Sequence, residues 1–287
     1  MSVGPQRFEN VAEGLDKMAV IYEKNGHIAV VTIHRPQARN SLDFETMGQL
    51  AKTWLDFRDD PDLWVAILTG SGERDFCVGA DLKSFIPAVT SQIKELASGE
   101  KSLLGEEYPL NAPLVAVLRE GDIWKPIIGA VNGICSSGGL EMLQGTDIRI
   151  AAEHATFSIA EPKRGLFPGG GTTVRLPRQI PFVWAMEILF TCDFISARQA
   201  LEIGLINRVV PKEELMPAAM KIAERICENA PLAIQAVKRS VRQCMNLSMD
   251  EALRRELEIA TEVFMTEDAR EGPLAFMEKR KPVWKSR

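Results

Sequence analysis

Two short runs with scarcely a polar residue, Trp64 to Thr69 (WVAILT) and Ile127 to Val131 (IIGAV), constrain this chain more than any other feature. A strand with one wet face alternates apolar and polar residues. A run without that alternation fits a strand covered on both faces, as in a parallel sheet between layers of helix. Upstream of the first run, Ile28 to Ile33 reads as a strand. Asp43 to Arg58 then spaces Phe44, Met47, Leu50, Ala51, Trp54 and Leu55 as one face of an amphipathic helix. Strand, helix, strand in that order predicts an α/β fold with a parallel sheet rather than a sandwich.

The remaining segments fit around that core. Residues 1–18 are polar and lack periodicity, which predicts a loose arm. Val20 to Glu23 and Ile28 to Ile33 read as a hairpin turning at Asn25-Gly26. Residues 86–124 carry weak helical patterns broken by Pro87, Pro109 and Pro113. Strands follow at 148–152 and 156–159, and Ser196-x-x-Gln199 has the spacing of a capping box, with Gly204 placed to end that helix. From Lys212 to Arg280 the pattern is helical throughout, with breaks at 229–231, 246–248 and Gly272-Pro273. The division this predicts is an arm (1–18), an α/β core (19–211) and a helical C-terminal region (212–287).

Between Gly129 and Leu176 lie two carboxylates, Glu141 and Glu161, each beside a glycine-rich turn. After the strand 127–131, Asn132 to Gly139 reads as a turn and Leu140 to Leu143 as the first turn of a helix. Gly138 and Gly139 leave the main chain open to a ligand, and the first amides of a helix have no partner within it. Such amides can hold an oxygen that becomes negative while a carboxylate acts on the neighbouring carbons. A structural reading is also open, because a strand, glycine turn and helix are common and an acid in a first helical turn is favoured by the helix dipole alone. The loop GSGERDFCVGADLKSF after the strand 64–69 offers a second set of candidate amides.

Bulk properties exclude several classes. Thirty-four basic and thirty-nine acidic residues give a net charge of −5, without the basic footprint of a nucleic-acid-binding chain. No apolar run approaches the roughly 20 residues of a membrane span, and Glu9, Glu13 and Asp16 interrupt any signal-peptide core, so a cytoplasmic protein is expected. Five scattered cysteines without a C-x-x-C pair predict neither disulfides nor a zinc site. His27, His34 and His154 stand outside any motif, which leaves acid–base work to carboxylates.

In order along the chain stand RPQARNSL (35–42), FCVGADL (76–82), AVNGICSSGGLEM (130–142), FSIAEPKRGLFPGGGTTVRL (157–176), SARQALEIGLINRVV (196–210) and EDAREGPLAFMEKRKPVW (267–284). Through these motifs the chain resembles the crotonase, or enoyl-CoA hydratase/isomerase, superfamily over nearly its full length. The resemblance implies a spiral of ββα repeats with a C-terminal helical trimerisation region, assembled as a homotrimer or a dimer of trimers. It implies an oxyanion hole from the amides of Ala80 and Gly138, and the two hydratase glutamates at Glu141 and Glu161. The implied reaction is syn addition of water to a trans-2-enoyl-CoA of the fatty acid β-oxidation type, with Glu141 ionised and Glu161 protonated. No metal or separate cofactor is implied, since coenzyme A is part of the substrate. For that CoA the resemblance points to Ala38, Asp81, Leu82, Lys83 and Gly139, and to Phe276 and Lys279, often reaching a neighbouring subunit.

Three departures stand out. Ser137 occupies a position where the family commonly has glycine, Ile159-Ala160 replace the frequent Gln-Pro before the second glutamate, and residues 84–124 are longer than in short-chain hydratases. The last leaves the acyl chain open. Within the same resemblance stand other reactions, such as a carnitinyl-CoA-like dehydration or double-bond isomerisation, and a non-catalytic acyl-CoA- or RNA-binding role.

Overall fold

The parallel α/β expectation holds in the computed structural model, which describes residues 18–92, 108, 109 and 111–287. Strands β1 (Val20–Asn25) and β2 (Ile28–Ile33) form an antiparallel hairpin, and α1 (Phe44–Asp59) leads to β3 (Val65–Gly70), parallel to β2. A three-residue strand β4 (Asp75–Cys77) and helices α2 (Phe85–Ser91) and α3 (Ala112–Ala116) follow. The pattern then repeats. β5 (Ile127–Val131) and β6 (Ile134–Ser136) precede α4 (Gly138–Leu143); β7 (Ile148–Ala152) and β8 (Thr156–Ser158) precede α5 (Thr172–Gln179) and α6 (Phe182–Thr191). After β9 (Ile195–Ser196), α7 (Ala197–Glu202) and β10 (Arg208–Val210) come α8 (Leu215–Cys227), α9 (Pro231–Cys244), α10 (Met249–Phe264) and α11 (Asp268–Met277).

The longer strands collect in one sheet in the order β1-β2-β3-β5-β7-β10, and the short ones in a second, β4-β6-β8-β9. From β3 onward each turn of the chain thus lays one strand in each sheet, which is the expected ββα spiral. In the small sheet β6 and β8 run parallel with Ser136 opposite Ser158, and their hydroxyls lie 2.8 Å apart.

The apolar runs are explained by what covers them. Ala66 and Leu68 of β3 face a core with Leu50, Trp54 and Phe57 of α1. Val65 and Ile67 point the other way, with Ile128, Ala130 and Ile150, onto Leu215, Ala219 and Ala223 of α8. The first C-terminal helix is therefore a layer of the core itself, and small residues at 219 and 223 let it approach the sheet.

Several details differ from the sequence expectation. The hairpin register pairs Asn25 with Ile28, so its turn is Gly26-His27, with Gly26 at φ +56. Pro273 sits inside α11, and the break falls before it, where the Thr266 hydroxyl accepts the Ala269 N–H and starts the helix. Strands β4 and β6 lie where the sequence predicts loop and turn, because three residues give no periodicity to detect. The expected arm lies outside the described residues, as does much of the 84–124 stretch. The Ser196 capping box is formed as expected, with Gln199 as its partner.

Candidate active site

The two sheets bring the ends of β4, β6 and β8 together, and the chain leaves each through a tight turn. At the end of β4, Gly79 adopts φ +90, and a Cβ there would sit 2.7 Å from the Gly138 nitrogen. Glycine is required on both grounds. A Cβ on Gly138 would in turn lie 3.5 Å from the Ala80 nitrogen, so the amides of residues 80 and 138 are neighbours.

Both amides are left unused among the described residues. Leu42 pairs with Ala80 in an isolated parallel bridge, in which Leu42 N–H donates to the Gly79 carbonyl and Asp81 N–H donates to the Leu42 carbonyl. Ala80 N–H is the one skipped. Gly138 opens α4, where a helical amide has no carbonyl behind it. Neither N–H has an acceptor among the backbone bonds of the described residues. Two adjacent unsatisfied amides can together stabilise an oxygen that gains negative charge.

Glu141 projects from the first turn of α4 and is 5% exposed. Its Oε1 accepts the Gly170 N–H at 2.7 Å and, more distantly, the Thr172 N–H at 3.5 Å. Burial, with the charge of Glu161 next in weight, pushes its carboxyl up from the ordinary 4.5 to about 7, against those amide bonds. The two acids therefore feel one another. Burial raises Glu161 as well, opposed by its own and the Ala160 amides, the Ser137 hydroxyl and the nearby Arg164 charge. Among the described residues its buried Oε2 has no hydrogen-bond partner.

Two buried acids that feel one another cannot both ionise cheaply, so a charge on one raises the other's carboxyl. Both acids have donors that favour the charged form, Glu141 from Gly170 and Thr172 and Glu161 from its own and the Ala160 amides, and Glu161 keeps one oxygen, Oε2, without a donor among the described residues. A carboxylate and a carboxylic acid so arranged can hold a water between them as base and acid.

The other expected residues divide into two groups. Ala38 closes the 3₁₀ turn Pro36–Ala38, and Asp81, Leu82 and Lys83 follow directly on Ala80. Burial would push the Asp81 carboxyl up, but the Lys83 and Ser84 amides and Arg35 outweigh it and hold it below its ordinary value. The carboxylate thus shapes the loop that presents Leu82 and Lys83 to solvent. Gly139 is needed for packing, since a Cβ would lie 2.2 Å from the Cys77 carbonyl oxygen. Phe276 and Lys279 stand apart at the end of α11, where Phe276 is 84% exposed. Within one chain, no hydrogen bond or ion pair among the described residues joins them to the 80–141 cluster.

Sequence reasoning missed two contributors. Gly170 approaches Glu141 so closely that a Cβ would lie 2.4 Å from Oε2. The Gly169-Gly170-Gly171 run was its only signal, and a glycine run does not say what approaches it. Arg175, on α5, donates to the Glu141 carbonyl at 3.4 Å and to the Leu118 carbonyl, tying α4 to the 118 loop.

Comparison with known proteins places the chain. The family model described as enoyl-CoA hydratase/isomerase matches residues 23–287. The chain belongs to this family. Among its crotonase relatives is an enoyl-CoA hydratase, EchA19, from Mycobacterium tuberculosis, 42% identical over 267 residues that cover 93% of this chain and 96% of the relative. A carnitinyl-CoA dehydratase from Salmonella enteritidis is 38% identical, with 92% and 97% covered. The crystal structure of an enoyl-CoA hydratase from Mycobacterium tuberculosis superposes with a TM-score of 0.82 at 35% identity, covering 94% of this chain and all of that one. The crotonase spiral and its C-terminal helices are thus common to this chain and its solved relatives.

Proposed function

We propose that this protein is an enoyl-CoA hydratase, which adds water to the double bond of a trans-2-enoyl-CoA thioester and runs the same steps backwards on a 3-hydroxyacyl-CoA. The observation that carries the reading is the burial of Glu141 beside Glu161, with one amide-held carboxylate and one carboxyl oxygen left without a partner.

In the hydration direction, the Ala80 and Gly138 amides hold the thioester oxygen and stabilise the enolate that forms, a contribution of typically 10²-fold or more per donor. Glu141 takes a proton from the water as its oxygen bonds to C3, and Glu161 gives its proton to C2 on the same face. The pair ends with the proton on Glu141, and its return to Glu161 restores the starting state. Every step uses these groups alone, and coenzyme A enters as part of the substrate.

Ala38 and the Asp81 to Lys83 loop bind the CoA portion in this reading, Gly139 keeps the amide turn packed, and Phe276 and Lys279 reach a neighbouring subunit's CoA. An exposed stripe on α10 supports assembly into a homotrimer or a dimer of trimers: Met249, Leu253, Leu257 and Phe264 follow helical spacing and are each more than half exposed. No helix among the described residues is long and apolar enough to cross a membrane, and a cytoplasmic place of action completes the reading.

The carnitinyl-CoA dehydratase relatives favour a second reading, the same acid–base chemistry on a carnitinyl-CoA substrate. Incubation with crotonyl-CoA and longer enoyl-CoAs tests the first. Loss of the conjugated absorbance with a product heavier by one water is expected. An unchanged absorbance across the panel, with carnitinyl-CoA losing water instead, would replace the first reading by the second.

A further inference from the structure

The peptide unit that donates to Glu141 is held at both of its ends. The Gly170 N–H donates to Glu141 Oε1 at 2.7 Å, and the carbonyl of the same peptide, that of Gly169, accepts from Arg119 Nη1. Neither atom has a backbone partner among the described residues. Gly169 is exposed, and a Cβ there would meet only the Phe167 carbonyl oxygen, at 3.9 Å. A peptide between two glycines, open on one side, turns over at little steric cost. Turned over, it would withdraw the N–H and aim the Gly169 carbonyl oxygen at the carboxylate.

Arg119 stands where it opposes that motion. It follows Leu118, which is held at φ 57 and whose carbonyl accepts from Arg175 Nη2, while Nη1 of the same guanidinium reaches the Glu141 carbonyl at 3.4 Å. The Arg119 N–H donates to the Leu114 carbonyl of α3 at 2.9 Å. The turn that carries Arg119 is thus tied to α3 and to α5, and two arginine-to-carbonyl bonds cross in opposite directions between 118–119 and 169–175.

We propose that Arg119 is a positioning residue, whose guanidinium locks the Gly169–Gly170 peptide in the orientation that presents its N–H to the Glu141 carboxylate. The proposal rests on Glu141 being the base of the hydratase reading. A cation on the carbonyl oxygen also polarises the peptide, so the bond its N–H donates is the stronger for it.

Hydration needs Glu141 ionised, and an N–H donor favours the ionised form. The other groups bearing on that carboxyl among the described residues are Glu161 from the turn after β8, Arg175 from α5 and the Thr172 amide, and a substitution at 119 leaves all three in place. Losing the donor therefore moves the acid limb of kcat against pH upward, by roughly one pH unit for one bond to a charged group.

Arg119→Met keeps an unbranched stem and removes the donor. Arg119→Lys keeps a cationic donor, which suffices because a single nitrogen of Arg119 makes the bond. The methionine variant should show the upward limb and about tenfold lower kcat at pH 7, with KM for crotonyl-CoA within about twofold of the parent's. Its melting temperature should stay near the parent's, since the side chain is exposed, and the lysine variant should recover most of the loss. The limb should remain displaced at high salt, which screens an exposed charge but leaves a missing hydrogen bond missing. A parent-like limb in Arg119→Met, a limb that returns at high salt, or a lysine variant no better than methionine overturns the proposal. Infrared difference spectra, in which the Glu141 carboxyl band is the one missing from Glu141→Gln, titrate the acid without turnover. An unmoved Glu141 titration in Arg119→Met overturns the proposal even where enoyl-CoA is hydrated. A moved titration, where the parent is inactive on every enoyl-CoA, upholds the clamp and removes the hydratase reading.

Discussion

Gly170 donates its N–H to Glu141 Oε1 at 2.7 Å, and its Cα lies so near that an added methyl would fall 2.4 Å from Oε2. The atom that would have to give way is the end of a flexible side chain, so the fold can absorb the methyl while the carboxylate cannot keep its place. Gly170→Ala is therefore expected to melt within a few degrees of the parent and to lose about 100-fold or more in kcat, the usual cost of misplacing a reacting group by an ångström. Calorimetry and enoyl-CoA kinetics on the same preparation check this, and full activity would show that the bond to Gly170 does not set the carboxylate's position.

Replacing either acid by its amide removes a proton acceptor or donor without changing size. Glu141→Gln and Glu161→Gln should each lower kcat by about 10²- to 10⁴-fold, the range for general acid or base catalysis. Calorimetric titration should show CoA-thioester binding roughly intact. Parent-like turnover in one variant would take that carboxyl out of the mechanism.

The raised carboxyl of Glu141 also has a consequence for stability. Its folded value of about 7 lies above the ordinary 4.5, so its charged form is disfavoured by folding. The penalty is absent below pH 4.5, grows between 4.5 and 7, and is complete above 7; at 1.36 kcal/mol per unit it is at most about 3 kcal/mol. Glu141→Gln should therefore gain stability relative to the parent as the pH rises from 5 to 8, as measured by urea unfolding. A constant difference across that range would contradict the buried, unfavourable charge.

At Gly79 the obstacle to a side chain is backbone rather than a flexible tip. Gly79→Ala places a methyl 2.7 Å from the Gly138 nitrogen at φ +90. It should cost about 1–3 kcal/mol in stability and about 10²- to 10³-fold in kcat, comparable to the loss of one oxyanion donor. Circular dichroism melts alongside kinetics would separate the two losses; a variant destabilised yet fully active would mean that the amides at 80 and 138 are not the oxygen's partners.

The apolar stripe of α10 makes a prediction about assembly. Leu257, 68% exposed, is flanked at helical spacing by Leu253 and by Phe264. Leu257→Glu places a charge in the proposed contact and should shift the protein toward monomer in light scattering. An assembly as large as that of the parent would move the contact to another surface.

How far the site could be read from the chain depends on which residues are asked. The apolar runs at 64–69 and 127–131 announced a sheet covered on both faces, because burial on two sides leaves a pattern in composition alone. Glu141 could be placed near helix-start amides from local spacing. Its convergence with Glu161 could not, since 20 residues separate them and the parallel strands that align them are only three residues long. The turn at Ser137, at φ 54, was equally hidden: the family resemblance leads one to expect glycine there, but a backbone angle has no signature of its own. Phe276 and Lys279 were legible only through the family resemblance, and within one chain no hydrogen bond or ion pair among the described residues joins them to the turn at 80. Pro273 misled because a proline ordinarily ends a helix, and here α11 carries it.

The pairing of Ser136 with Ser158 turns this active centre into a matter of counting. From those matched strand ends, five residues lead to one glutamate and three to the other, so the windows 136–141 and 158–161 behave as rulers of fixed length. The connection between them is under no such obligation at its surface turn. A spacer inserted near His154 can bulge outward harmlessly, whereas a single residue added on either ruler would rotate one acid off its mark. Natural and engineered variation in this protein should accordingly tolerate length changes in the first place and forbid them in the second.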